Sequence, residues 1–170
     1  YIEEVPWYTE HVRRQVEAQF GKDALYTEGY KIYTAVNIEM QKIARAEIIR
    51  GLRDLDKRQG YRGALKKLAP EEIEAYSQKI IEELKENPLK ENRITEAVVI
   101  DIDDVNNIVM LRIGDERGRI TVEDMAWARK PNKEVAYYEA RIRRSSQALA
   151  VGDVIQVRIK QKAEDETNVE

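Results

Sequence analysis

Ile94-Thr95-Glu96-Ala97-Val98-Val99-Ile100-Asp101-Ile102-Asp103-Asp104-Val105-Asn106-Asn107-Ile108-Val109-Met110-Leu111-Arg112-Ile113-Gly114-Asp115-Glu116-Arg117-Gly118-Arg119-Ile120-Thr121-Val122 is the stretch that decides the fold. It reads as a three-stranded β-meander. Side chains alternate faces along a strand, so Val98, Ile100 and Ile102 fall on one face of the first strand. Asp103 to Asn107 is turn chemistry, because Asp and Asn bond their own backbone and tolerate left-handed dihedrals. The second strand runs from Ile108 to Ile113, with Val109, Leu111 and Ile113 inward and Arg112 outward. Gly114 to Gly118 reads as a hairpin loop with glycine at both ends. The third strand runs from Arg119 to Glu123, with Ile120 and Val122 inward.

A meander of this length has one apolar face and two open edges, and needs further strands or a lid. Working outward, Asp124-Met125-Ala126-Trp127-Ala128-Arg129 predicts a short helical turn that plugs one end. Val151 to Lys160 alternates again and predicts another strand, with Ile155, Val157 and Ile159 inward. Between them, Val135-Ala136-Tyr137-Tyr138 is a candidate short strand. Strands, capping turn, loop and strand together predict a small five-stranded barrel of the oligonucleotide/oligosaccharide-binding (OB) type.

The first sixty residues have a different rhythm. Pro6 to Phe20 reads as an amphipathic helix with Tyr8, Val12, Val16 and Phe20 on its stripe, and Gly21 as its stop. Gly29 to Val36 is β-rich. Asn37 sits where an N-cap belongs, ahead of a helix from Ile38 to about Lys57 with Met40, Ile43, Ala44, Ile48, Leu52 and Leu55 as its buried stripe. This helix–strand–helix segment is too small for a core of its own, and its apolar faces call for a partner. Gln59 to Gly63 is a loop and the expected domain boundary. Pro70 to Glu86 is a further helix with Ile73, Tyr76, Ile80, Ile81 and Leu84 inward, ended by Asn87-Pro88. The expected organisation is therefore 1–62, then 63–162 as the barrel with its leading helix, then 163–170 as an acidic disordered tail. The fold class is α+β.

Net charge is −3 over 170 residues. Residues 1–93 carry 17 side chains of each sign, 94–162 carry 12 basic and 11 acidic, and 163–170 carry 4 acidic and no basic. That balance argues against a nucleic-acid partner, because phosphate contacts supply most of such affinity. There is no cysteine, which excludes disulfide and thiolate chemistry. No run approaches the ~18 apolar residues of a membrane span. Tyr rather than Met at position 1 reads as a piece excised from a longer protein.

Three blocks carry a resemblance to a known family. The first is Glu4 to Arg14, which contains Val5-Pro6-Trp7-Tyr8. The second is Asp23 to Thr34, continuing through Asn37-Ile38-Glu39-Met40-Gln41 to Gln59-Gly60-Tyr61-Arg62-Gly63. The third is Glu123 to Arg129 with Val151-Gly152-Asp153-Val154-Ile155. Together they resemble a class A penicillin-binding protein of the 1A type. The blocks resemble the link between glycosyltransferase and transpeptidase domains, the start of the transpeptidase domain, and the OB-like insert that interrupts it. The usual Leu-Asp is Val36-Asn37 here, a change that keeps the helix cap. The resemblance implies a bifunctional peptidoglycan synthase in the periplasm, anchored in the inner membrane. It also implies partners: the rest of the transpeptidase domain, an outer-membrane lipoprotein activator, or peptidoglycan itself. Self-association through the exposed apolar faces stays open.

The catalytic signature of that family is missing from the chain. A transpeptidase needs Ser-x-x-Lys, Ser-x-Asn and Lys-Thr-Gly, and Ser77 is followed by Gln78-Lys79-Ile80, one place short. The catalytic glutamate motifs of the glycosyltransferase are absent too. This piece is therefore expected to be non-catalytic, with no cofactor, and to act as a docking or regulatory barrel. The alternatives are a single-stranded nucleic-acid-binding module or a glycan-strand-binding barrel. Asp101, Asp103 and Asp104 lack the glycine and closing glutamate of a calcium loop and read as a hairpin turn. His11, the only histidine, reads as a packing or surface residue. Trp127 reads as the plug, with a stacking platform as its other reading. Arg141, Arg143 and Arg144 form the one local basic cluster. With Trp127, Arg129, Arg112 and Arg158 they are the candidate partner or ligand contacts, and Arg119 and Lys160 project from strands beside them.

Overall fold

The structure is a computed structural model that describes residues 4–161 and 167–169. The chain divides into two compact units, Tyr1–Asp54 and Leu55–Glu170. The division falls inside a helix, earlier than the loop at 59–63, because the last turn of that helix is bound to the barrel side.

The first unit is helical. Helix α1 (Pro6–Phe20) begins at its proline and stops at Gly21, whose φ of 86° ends the turn. Helix α2 (Lys22–Thr27) follows at once; six residues are too few for the stripe by which a helix is read. Residues 29–37 form no ladder, so the β-rich run there stays unpaired among the described residues. Asn37 caps helix α3 (Ile38–Gln59) as expected, its Oδ1 accepting from the amide of Met40 at 3.0 Å. The stripe of α3 is not buried. Met40, Ile43, Ile48, Leu52 and Leu55 are between 42% and 68% exposed among the described residues.

The second unit is a closed barrel. A two-residue strand β1 (Lys66–Lys67) precedes a 3-10 turn at Pro70–Glu72 and helix α4 (Ile73–Glu86). The strands β2 (Ile94–Asp103), β3 (Ile108–Ile113), β4 (Glu116–Thr121), β5 (Asp153–Gln161) and β6 (Thr167–Val169) complete the sheet. The sheet order is β1-β5-β2-β3-β4-β6, and β5 also pairs with β6, which closes the ring. Strand β6 runs parallel to β4, with Gly118 opposite Thr167, and antiparallel to β5, with Ile159 opposite Val169.

The fifth strand is thus not Val135–Tyr138, which holds turns and bends. It lies at Thr167–Val169, inside the stretch read as a disordered tail; residues 163–166 and 170 fall outside the described set. The acidic composition hid a short alternation: Thr167 and Val169 are fully buried and Asn168 faces outward. Gly118 lets the new strand in. A Cβ there would lie 3.0 Å from Ile113 Cδ1 and 3.3 Å from the Thr167 carbonyl.

The interior holds Ala97, Val99, Val109, Leu111, Ile113, Ile120, Ile155, Val157, Ile159 and Val169. The expected inward faces of β3 and β5 are correct. On β2 the phase is wrong, for a visible reason. A bulge between Val99 and Asp101 shifts the register, and a one-residue slip exchanges the two faces. Ala97 and Val99 face in before it and Ile102, opposite Val109, after it. Val98 is buried on the outside, with Leu68 and Val154 beneath Ile73 and Tyr76 of α4. The link from β4 to β5 supplies Met125, Ala128, Ile142 and Leu149 to the main core as a plug. The plug turn is tied to β5 by Lys160 Nζ and Asp124 Oδ1, 2.5 Å apart.

Because Val169 closes the barrel from a fully buried site, Val169→Ala should cost about 2 kcal/mol of unfolding free energy. A urea denaturation series measures it. An unstructured tail would leave the midpoint unmoved.

Candidate functional site

The plug also makes the surface that collects most of the unusual side chains. A groove of about 270 Å³ is lined by Lys57, Arg58, Glu123, Ala126, Trp127, Tyr137 and Arg141. Lys57 and Arg58 come from the last turn of α3, Glu123 to Trp127 from the turn after β4, and Tyr137 and Arg141 from the link. The Tyr137 ring is 49% exposed and meets Tyr138 edge-on, with centroids 5.4 Å apart.

Trp127 is half-buried. Its ring meets Tyr61 edge-to-face at 6.3 Å, and Lys57 Nζ sits 5.4 Å from its centroid. A cation over the ring and a neighbour against it leave little open π-face, so Trp127 serves as the inner wall of the groove. Its Nε1 is buried without a hydrogen-bond partner among the described residues, as is the Tyr61 hydroxyl. Burial, then the charge of Asp153, raises the Tyr61 phenol to about 12.

Arg129 is not a surface contact. It is 8% exposed, and backbone carbonyls surround its guanidinium. Nη1 donates to Lys130 O at 3.2 Å and Asn132 O at 3.3 Å; Nη2 donates to Arg58 O at 3.3 Å and Val135 O at 3.5 Å. Its own carbonyl accepts from the Tyr61 amide at 2.7 Å. One planar fork thereby ties the end of α3 to the link. Four backbone carbonyls accept from its two terminal nitrogens, so its guanidinium is engaged within the fold.

The other arginines separate. Arg141 lines the groove. Arg143 and Arg144 are exposed beyond it, their backbone amides donating to Gln147 Oε1 at 2.7 Å and 3.1 Å. Arg112 is spoken for: Nη1 pairs with Glu74 Oε2 at 2.6 Å and Nε donates to Gly114 O at 3.0 Å, fastening α4 to β3. Arg119 Nε donates to Asn168 Oδ1 at 2.7 Å and so braces β6. Arg158 is half-buried on β5, opposite Ile94. Of the seven candidates, the fold therefore brings only Trp127 and Arg141 to one groove. Lys57, Arg58, Glu123 and Tyr137 were missed. Lys57 stands at the expected end of its helix and Tyr137 in the candidate strand, and only tertiary packing makes them neighbours.

The aspartates of the first hairpin have structural work. Asp103 Oδ1 accepts from the amides of Val105 and Asn106 at 2.9 Å and 3.0 Å. Asp104 accepts from the amide and hydroxyl of Ser146. These bonds hold both carboxyls below the usual aspartate value. Ser77 is fully buried and its hydroxyl donates to the Ile73 carbonyl at 2.8 Å.

A family model described as the penicillin-binding protein OB-like domain matches residues 61–168. The chain belongs to this family. Relatives of this OB-like chain are penicillin-binding proteins 1A. That of Rickettsia bellii is 31% identical over 156 residues, which is 89% of the chain and 17% of the relative. That of Pseudomonas aeruginosa is 32% identical over 124 residues, 73% of the chain and 14% of the relative. The chain therefore spans about a sixth of the length of the curated relatives it matches. A crystal structure of penicillin-binding protein 1A from Haemophilus influenzae superposes at a TM-score of 0.47 with 23% identity, covering 95% of the chain and 21% of that protein.

Two predictions separate the buried from the exposed arginine. Arg129→Ala should cost about 3 kcal/mol, because it strands buried carbonyls, while Arg141→Ala should stay within about 0.5 kcal/mol. Chemical denaturation of both variants is the check. For Asp104 the folded value lies below the unfolded one, so its stabilisation is complete above the unfolded value and fades as pH falls through the folded value. The melting-temperature gap between wild type and Asp104→Asn should be present at neutral pH and vanish in strong acid. A gap that persists at low pH would show that charge is not what the bonds select.

Proposed function

We propose that this chain is a docking and positioning region of a bifunctional peptidoglycan synthase, a glycosyltransferase and DD-transpeptidase, and makes or breaks no bond itself. The observation that carries the reading is the OB-like barrel at residues 61–168 joined by Arg129 to the last turn of α3. Supporting it, the described serine hydroxyls of Ser77 and Ser146 are spent on structure, and the sequence holds none of the three transpeptidase motifs. The parent would work at the outer face of the bacterial inner membrane, in the periplasm. None of the described helices is long and apolar enough to cross a membrane, so the anchor would belong to another part of the parent.

Two partners follow from this reading. The rest of the transpeptidase domain would cover the exposed stripe of α3, where five large aliphatic side chains now meet water. A second partner, an envelope protein such as an outer-membrane lipoprotein or the glycan product, would meet the barrel. Binding there can shift the enzyme only by as much as it favours one arrangement over another.

Replacing residues 61–169 of the parent by a short linker tests this. Cross-linking of stem peptides should fall and lose its response to the partner, while labelling by a fluorescent penicillin confirms that the transpeptidase still folds. Unchanged cross-linking, with and without partner, would contradict the proposal.

A further inference from the structure

We infer that the groove over the plug takes an acidic peptide segment of a partner protein. The inference rests on the docking reading above and names the chemistry of the occupant. Charge is the first argument. The lining carries Lys57, Arg58 and Arg141 against the single carboxylate Glu123, an excess of positive charge on a chain whose net charge is −3. None of the ion pairs shown among the described residues includes Arg58 or Arg141, and Arg143 and Arg144 stand exposed on the segment that follows. Concave walls concentrate such a field and steer an anion inward.

Glu123 and the aromatic rings decide between kinds of anion. The exposed carboxylate of Glu123 can accept from a peptide backbone, which offers one N–H per residue beside its own acidic side chains. A nucleic acid would bring phosphates toward that carboxylate, and would want open ring faces to stack on. Trp127 offers little of its own: Lys57 lies over its ring and Tyr61 against it. The same cover denies a pyranose its platform. Ala126 and the half-exposed Tyr137 add an apolar part to the lining beside its cations. The volume of about 270 Å³ suits a few residues of extended chain and is too small for a folded surface. Because Arg58 belongs to the turn that Arg129 binds through its carbonyl, an occupant held by Arg58 and Arg141 would clamp the end of α3 to the link.

The test is a nitrogen-15 NMR titration of the 170-residue chain with four probes. They are a blocked synthetic peptide alternating glutamate and leucine, its lysine–leucine counterpart, a chitin tetrasaccharide and an oligothymidylate. The indole resonance of Trp127, told apart from that of Trp7 with Trp7→Phe, reports on the groove. The acidic peptide alone should move it, together with amides at 57–58, 123–127 and 137–141. Arg141→Gln and Arg58→Gln should each weaken the effect by roughly tenfold, through loss of a charge-assisted bond. Added salt should weaken it too. No movement with the acidic peptide, movement with any of the other three instead, or full binding by both glutamine variants would each overturn the inference. The titration reads occupancy of the groove, and the linker replacement reads coupling to the enzyme, so either can fail while the other stands.

Discussion

Strand β6 is three residues long, and the unit depends on it. A four-stranded antiparallel sheet with one apolar face has two open edges and half a core. Thr167–Val169 pairs with β4 on one side and β5 on the other, and each side requires something of the sequence. On the β4 side it is the missing side chain of Gly118, which lets the Thr167 carbonyl approach. On the β5 side it is a register shift between Ile159 and Gln161, which bends that strand across the gap. Val169 then fills the last place in an interior already lined by Leu111, Ile113 and Ile159.

Closure leaves the barrel with two sides to cover. Helix α4 covers one through Ile80 and Leu84, pinned by the Arg112–Glu74 pair and by the Tyr76 hydroxyl donating to Glu96. The link after β4 covers the other with Met125, Ile142 and Leu149. Gly152 makes the return possible: at φ +89° it passes so near Leu68 that a Cβ would lie 2.4 Å from the Leu68 carbonyl. The buried guanidinium of Arg129 holds the outer layer of this plug to the helix that precedes the barrel. A polar fork in that position costs desolvation, and several carbonyls offset it. The groove is a consequence of that arrangement, since it forms where helix end, turn and link meet.

What the sequence revealed follows from which forces act locally. The periodicity of β3 and β5, the turn chemistry of Asp103, the proline and glycine limits of α1 and the Asn37 cap are all local, and all were readable. The β2 phase was not, because a bulge is a response to two neighbours at once. Strand β6 was not, because three residues in an acidic segment carry too little pattern. The ladder-free run at 29–37 shows the converse: a β-rich segment acquires its ladder from partners, and the described residues supply none. Among the candidate site residues, charge and exposure were legible for Arg141, Arg143 and Arg144. The inward fate of Arg129 was not, since nothing in Ala126-Trp127-Ala128-Arg129 tells which of its side chains the link will cover.

Closure of the ring is the claim on which the fold, the plug and the groove all stand. Interstrand nuclear Overhauser effects between Gly118 and Thr167, and between Ile159 and Val169, test it most directly. A closed barrel gives both sets of cross-peaks, with slowly exchanging amides in β6. Random-coil shifts at 167–169, with neither set present, would mean that the sheet is open and that this account of it is wrong.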